Sequence, residues 1–308
     1  MYCQFNVRGG GMVPVSIFET FLWLVFILAL VDGFRRYGFK SGLIFFIPLI
    51  IYGWVLEESA IAIFHRYAYT SDFLITYLDA PFCIAAGWTA ILYSGIVIAE
   101  SLSLSRFKAA LFVALWGLSI DFSMDAVAVR FGYWTWFPPA DVTLPYFNVP
   151  VSNFVGWFII LSCFTYFHLY GRDKWYRKVL MGFDAMLPSL PLLLLAIYIM
   201  LETEYERAFT TLSWWHMVVM FPLPLMIVLS VWLIKLAPFK SRGNRIALLI
   251  TESFHIFFVV SALYVWMVTG TWGYAVAATV ALLPVVMYAV RSKILLRANK
   301  GLMKTQTI

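Results

Sequence analysis

Charge is scarce in this chain of 308 residues: Asp, Glu, Lys and Arg together make up 12% of it. A soluble globular domain carries about a quarter charged residues and about half apolar ones. A chain that is 63% hydrophobic with a mean hydropathy of +0.86 is instead read as a polytopic membrane protein. Cysteine is scarce as well. Cys3, Cys83 and Cys163 are an odd, scattered set with no C-x-x-C pair, which argues against a disulfide framework and against a zinc or haem site, so three inert thiols are expected. An internal repeat, a low-complexity linker and a convincing A-x-A cleavage site after MYCQFNVRGGG are also missing. The first apolar run is therefore expected to be retained, and residues 1–308 to form a single transmembrane helical domain.

Long apolar runs are what the chain does have. They fall at 13–31, 43–63, 80–99, 107–129, 151–170, 179–201, 212–234, 246–268 and 272–290, each close to the roughly 20 residues that span a bilayer as a helix. The runs are continuous rather than alternating, which argues against a barrel. The expected fold is all-α, a bundle of about nine transmembrane helices in the cell membrane.

The basic residues test this parse. Assigned to alternate sides of nine spans, the 22 Lys and Arg divide into 18 and 4. Arg35, Arg36, Lys40, Arg106, Lys108, Arg172, Lys174 and the basic C-terminal tail share one side, and Arg8, Arg66, Arg130 and Arg207 the other. Cytoplasmic loops hold the excess, so the N-terminus is expected outside and the C-terminus in the cytoplasm. The net charge of +6 then faces anionic headgroups of one leaflet, making the lipid bilayer the partner and excluding nucleic acid.

Ionisable groups inside spans are costly and mark functional sites. Towards the outer side lie Glu19, Glu57, Glu58, Asp79, Asp121 and Asp125, and towards the cytoplasm His168, Asp184, Glu252 and His255. Asp121 and Asp125 are four apart, so both project from one helix face. Such a pair can bind a cation, or hold one proton beside an ionised neighbour and act as an acid; it can also merely sit in a wet vestibule. Glu57 is expected to face the interior. Glu58 shares a face with His65 and can form a structural hydrogen bond with it. Glu252 and His255, three apart, are expected to hydrogen-bond to each other.

The stretch RFGYWTWFPPADVTLPYFNVPVSNFVGW gathers Tyr133, Trp134, Trp136, Tyr146 and Trp157 among four prolines, and the preceding outer connection adds Tyr67, Tyr69 and Tyr77. One reading is an interfacial aromatic belt. The other is a rigid aromatic lid whose ring faces stabilise a developing carbocation.

DFSMDAVAVRFGYWTW followed by YFNVPVSNFVGW resembles a membrane family of carotenoid biosynthesis that includes bacterial carotenoid 1,2-hydratases and the bisanhydrobacterioruberin hydratase of haloarchaea. The family pattern is an acid pair ahead of G-x-W-x-W and then Y-x-G-V-P-x-x-N-F-x-G-W. It falls here on Asp121, Asp125, Gly132, Trp134, Trp136, Tyr146, Val149, Pro150, Asn153, Phe154, Gly156 and Trp157. A glutamate followed by Tyr-x-Tyr maps to Glu57, Tyr67 and Tyr69. Residues 50–160 carry the likeness; Asn148 stands where the family has glycine, and EESAIAIFHRYAY lacks its glycine-rich look.

The resemblance implies hydration of the terminal alkene of an acyclic carotenoid through a tertiary cation, with no metal or organic cofactor required. Asp121 or Asp125 would donate the proton, with the other acid and Glu57 positioning water and Asp79 in support. Tyr67, Tyr69, Tyr133, Trp134, Trp136 and Trp157 would line the substrate site, and Asn153 would bind water or a carboxyl. Other membrane enzymes of the pathway are natural partners. An intramembrane prenyltransferase and a lipid or isoprenoid transporter are the rival functions; the first needs two aspartate-rich motifs where this chain has one.

Overall fold

The computed structural model describes residues 12–172, 174, 180, 182–203, 205–235 and 244–305. Cys3, Arg8, Arg177, Lys178, Lys240 and Arg242 of the sequence reading lie outside them. Eight described helices are long and apolar enough to cross a membrane, and a ninth apolar helix is 17 residues long.

Helix α1 (Val15–Tyr37) follows Pro14 and ends on Arg35 and Arg36, which face the negative end of its dipole. Gly38, at φ 76, turns the chain at once into α2 (Phe39–Phe64). Helix α3 (Phe82–Glu100) starts after Pro81, and α4 (Arg106–Phe131) is capped by the Ser105 side chain, which accepts from the Lys108 backbone N–H. Then come α5 (Val151–Gly171), α6 (Met186–Glu202) and a 3-10 turn at Tyr205–Phe209. Next are α7 (Trp214–Met220), α8 (Pro222–Lys235), α9 (Arg245–Thr269) and α10 (Gly273–Thr305).

The centre of the bundle is the α3–α4 pair. Burial reaches 94% and 89% of their apolar stretches, against 39–50% for the other long helices. A helix surrounded by protein is largely apolar on every face, and the acids that α4 carries, Asp121 and Asp125, are buried with it. Around them stand α1, α2, α5, α9 and α10, with α6 outside α5 and α8 against α10. Small residues let the central helices approach closely: a Cβ on Gly117 of α4 would lie 2.1 Å from Leu161 of α5.

Two runs differ from their expected form. The sixth begins as a helix only at Met186, because Gly182 takes a left-handed turn (φ 88) against the Ile44 carbonyl of α2, where a Cβ would lie 2.1 Å from the oxygen. The seventh is one span in two pieces, Trp214–Lys235, broken at Phe221 because Pro222 disfavours helical geometry in the residue before it. Cys83 and Cys163 are unpaired, the first buried and the second half-buried.

Gly117→Val is expected to cost about 1–3 kcal/mol by overpacking, seen as a lower thermal midpoint of the detergent-solubilised protein; an unchanged midpoint would mean that α4 and α5 separate there freely.

Candidate active site

The ends of α2 and α4 build the site. Helix α2 closes on His65 in the left-handed conformation (φ 52) and α4 on Gly132 (φ 76), so both chains leave their helices sharply. They meet as a short antiparallel ribbon of β1 (Tyr67–Tyr69) and β2 (Trp134–Trp136), with Tyr67 opposite Trp136 and Tyr69 opposite Trp134. Alternate residues of a strand share a face. The Tyr-x-Tyr and Trp-x-Trp patterns therefore become one wall of four rings, with Tyr67 4.8 Å from Trp136 and Tyr69 5.7 Å from Trp134.

Glu57 of α2 lies under this wall, 7% exposed. Its Oε2 accepts from the Tyr67 hydroxyl at 2.6 Å and the Tyr69 hydroxyl at 2.8 Å, and its Oε1 from Trp88 Nε1 of α3 at 2.7 Å. Three donors from two other elements satisfy one carboxylate, and hydrogen bonds to a charged group contribute about 1.5–3 kcal/mol each. Burial and then the Glu57 charge hold both phenols well above the ordinary tyrosine range, so they remain protonated donors.

Asp121 and Asp125 of α4 are 0% and 3% exposed. Asn153, in the first turn of α5, donates from Nδ2 to Asp121 Oδ2 at 3.1 Å and to Asp125 Oδ2 at 2.5 Å. The two carboxyls share this one amide donor, and Asp121 Oδ1 is buried without a partner among the described residues. The loop before α5 sets the position of Asn153. Phe147 and Asn148 both have positive φ, and Val149 N–H returns to the Tyr146 carbonyl at 2.9 Å, a turn of the I′ kind in which asparagine is among the side chains best tolerated. The Tyr146 hydroxyl donates to the Phe122 carbonyl of α4 at 2.7 Å, and Glu206 accepts from the Val151 and Ser152 N–H groups at the start of α5.

A cavity of about 220 Å³ opens among these groups. Its lining includes Glu57, Tyr67, Tyr69, Asp125, Trp134, Trp136, Asn153 and Trp157. Asp121 stands behind Asp125. Tyr133 lies outside the lining, stacked on Phe18 with centroids 5.1 Å apart. Asp79 is exposed and away from the cluster; its backbone N–H donates to Glu58. Trp88 belongs to the site although the sequence reading passed over it. Its signal was a lone indole N–H inside an apolar span, which needs an acceptor. Trp88 also packs on Trp157, centroids 4.0 Å apart.

Other expected pairings are not made. His255 Nε2 lies 3.2 Å from the Ser119 hydroxyl and its Nδ1 has no partner, while Glu252 stays partly exposed, so the expected Glu252–His255 bond is absent. One side chain faces α4 and the other the rim. Glu58 accepts from Asp79 and Ala80 N–H groups rather than from His65, which caps α2. Glu19 anchors the connection between α2 and α3 by accepting from Leu74 N–H at 2.8 Å. Asp32, one residue beyond the first apolar run, lies inside α1. It is buried, accepting from Tyr93 and Asn244, both at 2.5 Å.

The arrangement defines a multi-pass membrane protein with buried carboxyls beside an aromatic-walled apolar cavity. The chain belongs to a family described as carotenoid biosynthesis protein, whose pattern matches residues 12–209. That stretch holds every site group named above from Glu57 to Glu206, and membership gives the chain a role in carotenoid biosynthesis. Neither a curated protein nor a solved structure matched the chain.

Glu57→Gln sets an amide NH₂ against at least one of three donors. It is expected to cost about 1–3 kcal/mol, measurable as a fall in thermal midpoint; an equal fall in Trp88→Phe would identify the indole bond as the larger part.

Proposed function

We propose that the protein hydrates the terminal trisubstituted alkene of an acyclic carotenoid. The observation that carries this reading is the Asp121–Asp125 pair, bridged by Asn153 and buried at the edge of a cavity walled by aromatic rings.

Such hydration needs an acid held protonated in an apolar place, an environment tolerant of a tertiary cation, and a positioned water. The proton shared by the aspartates adds to the less substituted alkene carbon, the π pair becoming the new C–H bond. Asp125, which lines the cavity, is the donor, and Asp121 and Asn153 hold its carboxyl in place. The cation left on the tertiary carbon faces the rings of Tyr67, Tyr69, Trp134 and Trp136, with the Glu57 carboxylate behind them. A water oxygen then forms the C–O bond, and the proton it releases returns to the aspartate pair. One water is added and the site is restored. Trp136 Nε1, buried without a protein acceptor, is a donor for that water.

We also propose that the site opens at the outer leaflet. The connections 65–81, 132–150, 203–213 and 270–272 gather at one end of the bundle through Tyr67–Trp136, Val151–Glu206 and Trp214–Trp272 contacts. This end carries Arg66, Arg130 and Arg207, the side poor in positive charge.

Expression in a host that makes an acyclic carotenoid is expected to add one or two waters to the pigment mass. Asp125→Asn is expected to lower conversion by about 10²–10⁴-fold, the usual contribution of a general acid. Full conversion with both Asp121→Asn and Asp125→Asn would sink the assignment, and unchanged pigment with the protein in the membrane would move the substrate to another isoprenoid.

A further inference from the structure

The cavity is too small for its proposed ligand. Sites for drug-sized molecules run from about 300 to 1,000 Å³, while about 220 Å³ is available here, so a long polyene can place only one end inside. The remaining shaft must leave through the wall of the bundle.

Helix α6 is the weakest part of that wall. It is 17 residues long, contains Pro191, which removes one backbone hydrogen bond, and buries only Ser189 and Leu193. Its inner face, Leu193, Ile197, Met200 and Leu201, runs roughly 12 Å along the cavity at 1.5 Å per residue. Ile197, Met200 and Leu201 line the cavity yet stay partly exposed, and so does Phe64 on the facing end of α2. The cavity thus reaches the apolar surface along the α2–α6 seam. Leu195 and Ile199, on the outer side of α6, are 54% and 51% exposed.

Gly156 bears on the same passage. It lines the cavity on α5, one turn from Asn153, and faces Leu193, whose Cδ1 would lie 3.8 Å from an added Cβ. No left-handed turn and no backbone clash requires glycine here. What its missing side chain leaves is open space between the acid pair and α6.

We propose that the α2–α6 seam is a lateral portal for the shaft of a linear isoprenoid, and that Gly156 keeps the passage from portal to acid pair open. This rests on the reading of the cavity as the place where an isoprenoid end reacts. The portal selects for an acyclic, flat chain, because the shaft must pass between Phe64 and Ile197 while its end lies at Asp125.

The test uses the full chain in lipid nanodiscs with Gly156→Phe, Ala60→Phe on the α2 side, and Leu195→Phe on the outer face of α6 as control. Two alkenes with the same end group are supplied, a long acyclic carotenoid and a short acyclic terpene. The ratio of long to short conversion is expected to fall about tenfold in Gly156→Phe and Ala60→Phe, the discrimination typical of a blocked apolar pocket, and to hold in Leu195→Phe. Equal losses for both alkenes, or no loss in either inward variant, would overturn the portal. Induced circular dichroism in the visible band of the bound polyene separates this from the reaction itself. If the wild type forms no alcohol but the dichroism is present and is lost only in the inward variants, the portal stands and the hydration reading falls. If one inward variant fails to elute as a monodisperse protein, the other decides.

Discussion

Buried carboxyls are the constraint around which one end of this bundle is organised. A carboxylate taken out of water costs several kcal/mol unless donors replace its hydration. Glu57 receives three, from two ribbon tyrosines and an indole on α3. The aspartates of α4 receive one amide between them, from Asn153. Because these donors come from α3, α5 and the β1–β2 ribbon, satisfying the acids fixes how those elements sit. The sharp exits at His65 and Gly132 bring the ribbon strands together, and Glu206 and Tyr146 seat the start of α5.

The two sets of acids are held differently, and this divides the chemistry. Glu57 is saturated by donors, so it is an acceptor with its lone pairs engaged, suited to anchoring the aromatic wall and balancing positive charge. The aspartate pair shares the single amide donor of Asn153, and Asp125 presents its side chain to the cavity. One site thus places a carboxyl with three donors and a carboxyl pair with one about the same apolar space, a difference produced by environment rather than by residue type.

Much of this was legible from residues and spacing. Nine apolar runs gave the helices, and the four-residue spacing of Asp121 and Asp125 placed both on one face. The period of two in Tyr67, Tyr69, Trp134 and Trp136 held a common face once the strands paired. Missed were partners far apart in the chain: Trp88 with Glu57, Asn244 and Tyr93 with Asp32. The expected Glu252–His255 bond failed because neighbours at three residues also compete with other helices, and Ser119 of α4 wins His255. The late start of α6 depends on Gly182 meeting Ile44, a contact no local pattern contains.

Composition and hydropathy by themselves determined a polytopic helical protein and which of its residues are costly to bury, because those are properties of side chains in an apolar solvent. The family motifs added where along the chain the chemistry lies. Only the tertiary structure decided which costly groups meet, since hydrogen bonds over tens of residues are set by helix packing. It left Asp79 at the surface, brought Trp88 to Glu57 and Asn153 to the aspartates, and closed a small cavity between them.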